Sequence, residues 1–115
     1  MVPECLFCKI IAGEIPASLR YEDSQLVVFD DIDAQAPFHL LIVPRQHIRT
    51  TLDIAATDHE LIGHIYQVAA KLAQDLGFAN DGFRIVNNCN DAGGQSVWHL
   101  HFHLLGGRQM NWPPG

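Results

Sequence analysis

The sequence predicts an α+β fold, in which a five-stranded, mostly antiparallel sheet is combined with one long and one short helix. Three observations lead to this prediction. Five short segments have the composition and length of strands, and turn residues separate them. Residues 58–76 carry a single apolar stripe at helical spacing. The chain has 115 residues, of which 48% are hydrophobic, so it can bury one core, and we expect both helices on one face of the sheet.

The first half of the chain is predicted to contain the short helix, a hairpin and a buried strand. Gly13 ends the helix, and the pair Asp23-Ser24 forms the hairpin turn. The apolar run after His39 predicts a strand that is buried on both faces, and Pro44 ends it. The predicted elements are a helix over residues 5–12, strands over 19–22 and 26–30, a loop over 31–37 and a strand over 39–43.

The second half is predicted to contain the long helix and two strands, after an irregular stretch with a helical turn near Leu52. Thr57 and Glu60 form a capping-box pattern at the start of the helix, and Gly77 suits its C′ position. The helix extends from about Asp58 to Leu76, and its apolar stripe is Leu61, Ile65, Val68, Leu72 and Leu76. A tight loop over residues 90–94 separates strands over 83–88 and 97–105, and the tail over 106–115 is irregular.

Three histidines alternate with apolar residues in the last predicted strand. Because successive strand side chains point to opposite faces, His99, His101 and His103 share one face. Crowded imidazoles repel when all are protonated, so at least some are neutral at pH 7. Such a face can hold a metal, a phosphate or a proton. The pair Gly93-Gly94 and the nearby Ser96 favour a phosphate pocket, because glycines let backbone N–H groups approach an anion.

Composition and charge exclude several classes of partner. The net charge is −6 and the basic residues are scattered, which argues against nucleic acid or an anionic membrane. The N-terminus does not read as a signal peptide, and the longest apolar run, Leu40 to Val43, is too short to span a bilayer. These features predict a cytoplasmic location. There, the odd cysteine count disfavours disulfides, and Cys5-x-x-Cys8 suggests metal or redox chemistry, while Cys89 has no predicted role.

The sequence resembles the histidine triad (HIT) family. The family signature, His-φ-His-φ-His-φ-φ with φ apolar, is met by His99 to Leu105. More closely, the sequence resembles the purine nucleoside phosphoramidase branch, to which the ending Trp112-Pro113-Pro114-Gly115 is specific. The other matching stretches cover nearly the whole chain: residues 7–11, 14–17, 31–32, 35–37, 93–97 and 105–110.

The resemblance implies a two-step displacement at the α-phosphorus of a nucleoside monophosphate derivative, with no metal required for catalysis. His101 attacks and forms a nucleotidyl-histidine, which water then hydrolyses. The implied catalytic partners are His103 on the phosphate, His39 supporting it from a neighbouring strand, and the hydroxyl of Ser96 near the leaving amine.

The resemblance also implies a nucleotide-binding set. Asp31 pairs with the ribose hydroxyls beside Ile32, and Asn88 lies on the phosphate side with Gly94, Ser96 and Val97. The apolar slot for the base is formed by Phe7, Ile10, Ile15 and Phe29, and Trp112 reaches the partner subunit's site in a homodimer. The alternatives are that Ile10, Ile15 and Phe29 are plain core, that Asp31 only caps a turn, and that Trp112 lies in a loose tail.

Some members of the superfamily carry a structural zinc, and the resemblance places its ligands at Cys5, Cys8, His47 and His99. The alternative is that the two cysteines are reduced and packed as small hydrophobic residues.

The predicted function is hydrolysis of the P–N bond in purine nucleoside phosphoramidates, such as adenosine 5′-monophosphoramidate or lysyl-linked AMP. One alternative is a dinucleoside polyphosphate hydrolase, against which the Trp-Pro-Pro-Gly ending argues. Another is a nucleotide-binding or scaffold protein whose hydrolysis is incidental.

Overall fold

The predicted α+β architecture is confirmed in a computed structural model, which describes residues 2–115. The five strands form one sheet in the order β1-β2-β3-β5-β4, and every pair of neighbours is antiparallel. Two 3-10 turns, over Thr51–Asp53 and Ala56–Asp58, precede the long helix. The elements are α1 (Leu6–Ile11), β1 (Leu19–Glu22), β2 (Leu26–Asp30), β3 (Phe38–Pro44), α2 (His59–Leu76), β4 (Phe83–Val86) and β5 (Phe102–Gly106).

The two helices cover opposite faces of the sheet, so the predicted placement of both on one face is wrong. Strands β2 and β3 are apolar on both faces, as predicted for β3, and each face therefore needs its own cover. Even-numbered strand residues such as Leu40 and Ile42 pack in one cluster with the buried stripe of α2. Odd-numbered residues such as Leu41 and Val43 pack in a second cluster with Phe7 of α1.

Helix α2 has the predicted apolar stripe but not the predicted capping box. Thr57 lies inside the preceding 3-10 turn, and the carboxylate of Asp58 accepts a hydrogen bond from the Ala55 N–H (2.9 Å) in that turn. Asp58 occupies the N-cap position of α2 without a side-chain cap bond. At the other end, Gly77 has φ +88° and its N–H donates to Ala73 O and Gln74 O, as expected for a left-handed C-terminal residue.

Strands β4 and β5 are shorter than predicted. Strand β4 ends at Val86, because the side chains of Asn87 and Asn88 bond to backbone outside the ladder, at His101 O (2.9 Å) and Gly93 O (2.7 Å). The pairing of β5 with β4 ends at Val86–His103 and its pairing with β3 ends at Ile42–Phe102, so β5 begins at Phe102 rather than at residue 97. His99 and His101 therefore precede the strand, and only His103 lies in it.

The β1–β2 hairpin is fixed to α2 through its turn. The Asp23 carboxylate accepts hydrogen bonds from Gln25 N–H and Leu26 N–H (both 2.8 Å), from Tyr21 Oη–H (2.7 Å) and from His64 Nε2–H of α2 (2.6 Å). Burial works against ionisation of Asp23, but the hydrogen bonds from Tyr21 and His64 outweigh it and lower the pKa of this carboxyl. Asp23 is thus a charged link between the hairpin and the helix.

Within residues 2–115, no helix has the length and apolar character needed to cross a membrane. The cytoplasmic location stays a prediction.

Candidate active site

A cleft of about 350 Å³ lies on the α1 side of the sheet and brings together most of the predicted site residues. It is bounded by α1, by the chain that leads into β1, by the end of β2 and by the segment before β5. The predicted residues that line it are Phe7, Ile10, Ile15, Phe29, Asp31, Ile32, Ser96, Val97, His101 and His103.

His101 presents one defined ring nitrogen to this cleft. The His101 side chain is buried, and its Nδ1 lies 2.7 Å from the backbone oxygen of His99. Because a carbonyl oxygen only accepts, Nδ1 carries the proton and Nε2 carries the lone pair. Burial lowers the pKa of His101, so the ring is neutral at pH 7. Phe7 packs edge-on against this ring at 5.0 Å, which holds the imidazole from the α1 side.

His103 is oriented by a hydrogen-bond relay that starts at the backbone. The N–H of Gln35 donates to His39 Nδ1 (3.0 Å), so the proton of neutral His39 is on Nε2. That Nε2–H donates to His103 Nδ1 (2.9 Å), which leaves the His103 proton on Nε2, available to a ligand in the cleft. Burial lowers the pKa of both histidines, to about 4 for His103, and both are neutral at pH 7.

Asp31 caps a turn and also faces the cleft, and its pairing with ribose hydroxyls stays a prediction. Its Oδ1 accepts a hydrogen bond from Asp33 N–H (2.9 Å), so it caps a turn, and it also lines the cleft. Its Oδ2 lies 3.3 Å from His39 Nε2. Phe7 and Phe29 also combine two roles, because both are buried in the core and both line the cleft.

Three predicted nucleotide contacts lie outside the lining of the cleft in the part of the chain that the structure describes. Asn88 bonds to Gly93 O and Gly94 has φ +80°, so both shape the loop between β4 and β5. Gly93 is required there by close packing, since a Cβ at this position would lie 2.3 Å from Cys89 O. Trp112, in the tail, is 83% exposed. The nucleotide contacts of Asn88, Gly94 and Trp112 stay predictions.

The four predicted metal ligands meet in a second cluster, next to the cleft. Their ligand atoms, Cys5 Sγ, Cys8 Sγ, His47 Nδ1 and His99 Nδ1, all lie within 4.8 Å of one another. The distances from His99 Nδ1 are 3.4 Å to Cys5, 3.6 Å to Cys8 and 3.1 Å to His47, and Cys8 lies 3.3 Å from His47. A tetrahedral zinc site has ligand–ligand edges of roughly 3.3 to 3.8 Å. These four separations in the cluster, 3.1 to 3.6 Å, are close to such edges.

The protonation of His99 also suits a metal ligand. His99 Nε2 lies 2.7 Å from Pro44 O and therefore donates to it, which leaves the Nδ1 lone pair facing the cysteines. Burial lowers the pKa of His99 to about 4 and keeps the ring neutral, as coordination requires. Burial also raises the pKa of the Cys5 thiol, so without a cation this thiol is protonated at pH 7. These residues can hold a metal.

Asp31, His39 and His103 are equally close to one another but are unsuited to a metal. His39 faces the other two residues through Nε2, so this nitrogen would have to bind the metal. Because the Gln35 N–H donates to Nδ1, however, Nε2 carries the proton and has no free lone pair. A ligating histidine instead donates from its outer nitrogen. The tautomers therefore suit the Cys5, Cys8, His47 and His99 cluster to a metal, and the Asp31, His39 and His103 cluster to a hydrogen-bond relay.

Sequence reasoning missed three residues that organise the site. The Gln35 N–H fixes the His39 tautomer, and the Asn87 amide donates to His101 O. Gln95 is buried, accepts from Asn90 N–H (2.9 Å) and donates to Arg49 O (3.0 Å) and Val97 O (3.1 Å), which orders the segment before His99. The pair Asn87-Asn88 was an available signal, since asparagine is depleted in strands.

Comparisons with known proteins agree with this geometry. A family model of the HIT domain matches residues 12–110. The purine nucleoside phosphoramidase of Escherichia coli K12 is 46% identical over 110 residues, covering 96% of this chain and 92% of that protein. An uncharacterised HIT-like protein of Synechococcus elongatus is 44% identical over all of both chains.

Solved structures give the same result. The crystal structure of a HIT family hydrolase from Legionella pneumophila has a TM-score of 0.96 and 54% identity, covering 97% of this chain and all of that one. A histidine triad protein from Clostridium difficile has a TM-score of 0.94 and 41% identity, with 96% of each chain covered.

Proposed function

This chain belongs to the HIT family, and we propose that it hydrolyses the P–N bond of purine nucleoside phosphoramidates through a nucleotidyl-histidine intermediate. The observation that carries this proposal is the protonation of His101. A buried, neutral imidazole with its proton held on Nδ1 by a carbonyl oxygen has one free lone pair, on Nε2, at a cleft of about 350 Å³. The 46% identity to the Escherichia coli phosphoramidase supports the choice of substrate class.

In the first step, His101 Nε2 attacks the α-phosphorus, the P–N bond breaks, and the amine leaves with a proton that comes from solvent through the Ser96 hydroxyl. The bond formed is Nε2–P, and the Nδ1–H bond to His99 O stabilises the positive charge that develops on the imidazole. Water then attacks the same phosphorus, the Nε2–P bond breaks, and the products are the nucleoside 5′-monophosphate and neutral His101. The water that attacks in this second step returns one proton to solvent.

In the proposed reaction, His103 binds a non-bridging phosphate oxygen. Its Nε2–H is fixed by the relay from Gln35 through His39, so a donor rather than a lone pair meets the phosphate. A preoriented donor of this kind stabilises charge as it develops on the phosphoryl oxygens. His39 has no need to touch the substrate for this role; it positions His103.

The nucleoside half of the cleft suits an apolar base and a ribose. Phe7, Phe29 and Leu41 form an apolar floor, and Asp31 offers carboxylate oxygens at the end of β2 for the ribose hydroxyls.

The leaving amine has room on the other side of Ser96. Leu6, Ser96 and Val97 line the nucleotide cleft and also a second, more open cleft of about 510 Å³. An amine that leaves past the Ser96 hydroxyl would enter this second cleft, which also contains Glu4 and Arg49. The volume supports substrates whose amine is larger than ammonia, such as a lysyl side chain.

Zinc is the metal that suits the Cys5, Cys8, His47 and His99 cluster. Two thiolates and two imidazoles at tetrahedral edge lengths are typical of a structural zinc site. Zinc bound there would cross-link the start of α1 to the segments that carry His47 and His99. All four coordination positions would be filled by protein, so the site supplies no metal-bound water for catalysis.

A homodimer is supported by two exposed features, the edge strand β4 and Tyr66 over the neighbouring strand β5. Strand β4 is an edge strand, so one side of its backbone has no partner within the described chain. Tyr66 of α2 is half exposed and its ring packs on Phe102. A second copy pairing along β4 would cover both features, and sedimentation of the purified protein tests this.

The proposed reaction is tested with a panel of substrates and one variant. Wild-type protein should hydrolyse adenosine 5′-monophosphoramidate and lysyl-linked AMP faster than diadenosine polyphosphate. His101→Ala should lose roughly 10⁴-fold in kcat, whereas His59→Ala, on the exposed start of α2, should retain activity. Intact-mass analysis during turnover should show a nucleotidyl adduct on His101. Full activity in His101→Ala, or a preference for the polyphosphate, would refute the proposal.

A further inference from the structure

The segment that carries His101 lies outside the sheet, so its backbone depends on other anchors. The β4–β5 ladder ends with Val86 opposite His103. Continued in the same register, β4 would place Asn88 opposite His101, but the strand has already ended. The carbonyl of His101 therefore has no strand partner on that side within the described chain.

The side chain of Asn87 replaces the missing strand. Its Nδ2 donates to His101 O at 2.9 Å, and its Oδ1 accepts from the hydroxyl of Thr51 in the first 3-10 turn. The orientation of the amide follows from these partners. A flipped amide would turn Oδ1 toward the carbonyl oxygen of His101, and two acceptors would then face each other.

Resting on the function proposed above, we propose that Asn87 is a positioning residue for the nucleophile, and that Thr51 orients its amide. The Nδ1–H bond of His101 cannot do this alone, because its acceptor, His99 O, belongs to the same irregular segment and moves with it. Among the hydrogen bonds that tie this segment to the rest of the fold are Leu100 N–H to Ile48 O (2.6 Å), His99 Nε2–H to Pro44 O (2.7 Å) and the Asn87 amide to His101 O. Of these, only the Asn87 bond reaches the backbone of His101 itself. Displacement of a reacting atom by about 1 Å can cost roughly 100-fold in rate.

Two isosteric variants and one rescue test the proposal. Asn87→Asp removes the donor and sets a carboxylate oxygen against His101 O, and Thr51→Val removes the group that orients the amide. Thr51→Ser keeps the hydroxyl and is the rescue, and Thr57→Val, in the exposed second 3-10 turn, is the matched control.

We expect kcat for a nucleoside phosphoramidate to fall about tenfold or more in Asn87→Asp and less in Thr51→Val, as the loss of one hydrogen bond to the nucleophile's backbone predicts. The affinity for AMP should stay within about twofold, because neither residue lines the cleft, and Thr51→Ser and Thr57→Val should resemble wild type. Unchanged kcat in Asn87→Asp would overturn the proposal. So would a parallel loss of kcat, AMP affinity and melting temperature, which indicates general loosening.

A measurement independent of activity separates this proposal from the proposed reaction. In wild-type protein labelled with ¹⁵N and ¹³C, a trans-hydrogen-bond coupling should join Asn87 Nδ2 to the carbonyl carbon of His101. The coupling should be weakened in Thr51→Val and restored in Thr51→Ser. If the wild type hydrolyses no phosphoramidate, the proposed reaction fails and the coupling still shows whether Asn87 holds His101. Absence of the coupling in wild type refutes the positioning role.

Discussion

Removing the metal ligands should destabilise the fold by an amount that the linkage of binding to folding predicts. The perturbation is Cys5→Ser combined with Cys8→Ser, which removes both thiolates of the cluster and leaves His47 and His99 without a tetrahedral site. Helix α1 has only six residues, too few to persist alone, so the cluster and the burial of Phe7 and Cys8 hold it to the sheet.

The magnitude follows from saturation of the site. Zinc at 100 times its dissociation constant stabilises the folded state by about 2.7 kcal/mol. A chain of 115 residues has an unfolding entropy of roughly 240 cal/mol/K, so this energy corresponds to about 11 °C in melting temperature.

The assay is thermal unfolding of wild type, of the double variant and of Cys89→Ser, each with and without a chelator. Cys89→Ser is the matched control, because Cys89 is a partly buried free cysteine outside the cluster. Wild type and the control should lose about 11 °C with the chelator, and the double variant should already melt low and not respond. Elemental analysis should find one zinc per chain in wild type and none in the double variant. A metal-free wild type that melts as high as a zinc-supplemented sample would refute the reasoning.

Three further perturbations have definite expected outcomes. Folding lowers the pKa of His39 below 6.5 and that of His103 to about 4, so between pH 6.5 and pH 4 the unfolded chain binds more protons than the folded chain. The free energy of unfolding should therefore fall as the pH drops from 6.5 to 4. Urea titrations across this range check the prediction, and a free energy that does not change with pH would contradict it. Gly93→Ala should lower the free energy of unfolding by about 1–3 kcal/mol, because the new Cβ would clash with Cys89 O. Gly63→Ala, in open space on α2, should raise this free energy by about 0.5–1 kcal/mol, and the same titrations measure both variants. Phe7→Ala should lower the free energy of unfolding by about 3–5 kcal/mol, and it should weaken AMP binding because this buried ring packs on His101. Calorimetry measures the affinity for AMP, and an unchanged affinity would show that Phe7 serves the core and not the cleft.

The sequence was sufficient for the elements and their order, because each depends on a local pattern. The stripe of α2, the turn at Asp23 and the glycine at position 77 all identify their elements without knowledge of the rest. The covering of the sheet was not predictable in this way. Strands β2 and β3 are apolar on both faces, so their periodicity does not show which helix packs on which face.

The strand boundary at Phe102 was missed for a different reason. The alternation of side chains continues beyond the strand, since Leu100 still packs in the α2 cluster while His101 lines the cleft on the other side. An alternating pattern reports where side chains point, but the hydrogen bonds that define a strand depend on the partner, and β4 ends at Val86. The histidine tautomers could not be predicted from the sequence either. They depend on the Gln35 N–H and on Pro44 O, which are main-chain groups whose positions the residue types do not reveal.

The hydrogen bond from His101 to His99 has a consequence for how the site responds to substitution. The acceptor is the main-chain oxygen of residue 99, which every amino acid supplies, whereas the imidazole of His99 faces Cys5 and Cys8. A substitution at position 99 would therefore remove one proposed metal ligand and still leave His101, the proposed nucleophile, its hydrogen-bond acceptor. A substitution at position 101 would instead remove the imidazole that makes this hydrogen bond. The proposed metal site and the proposed nucleophile are therefore separable at residue 99, because its side chain belongs to the metal cluster and its main-chain oxygen holds the His101 proton on Nδ1.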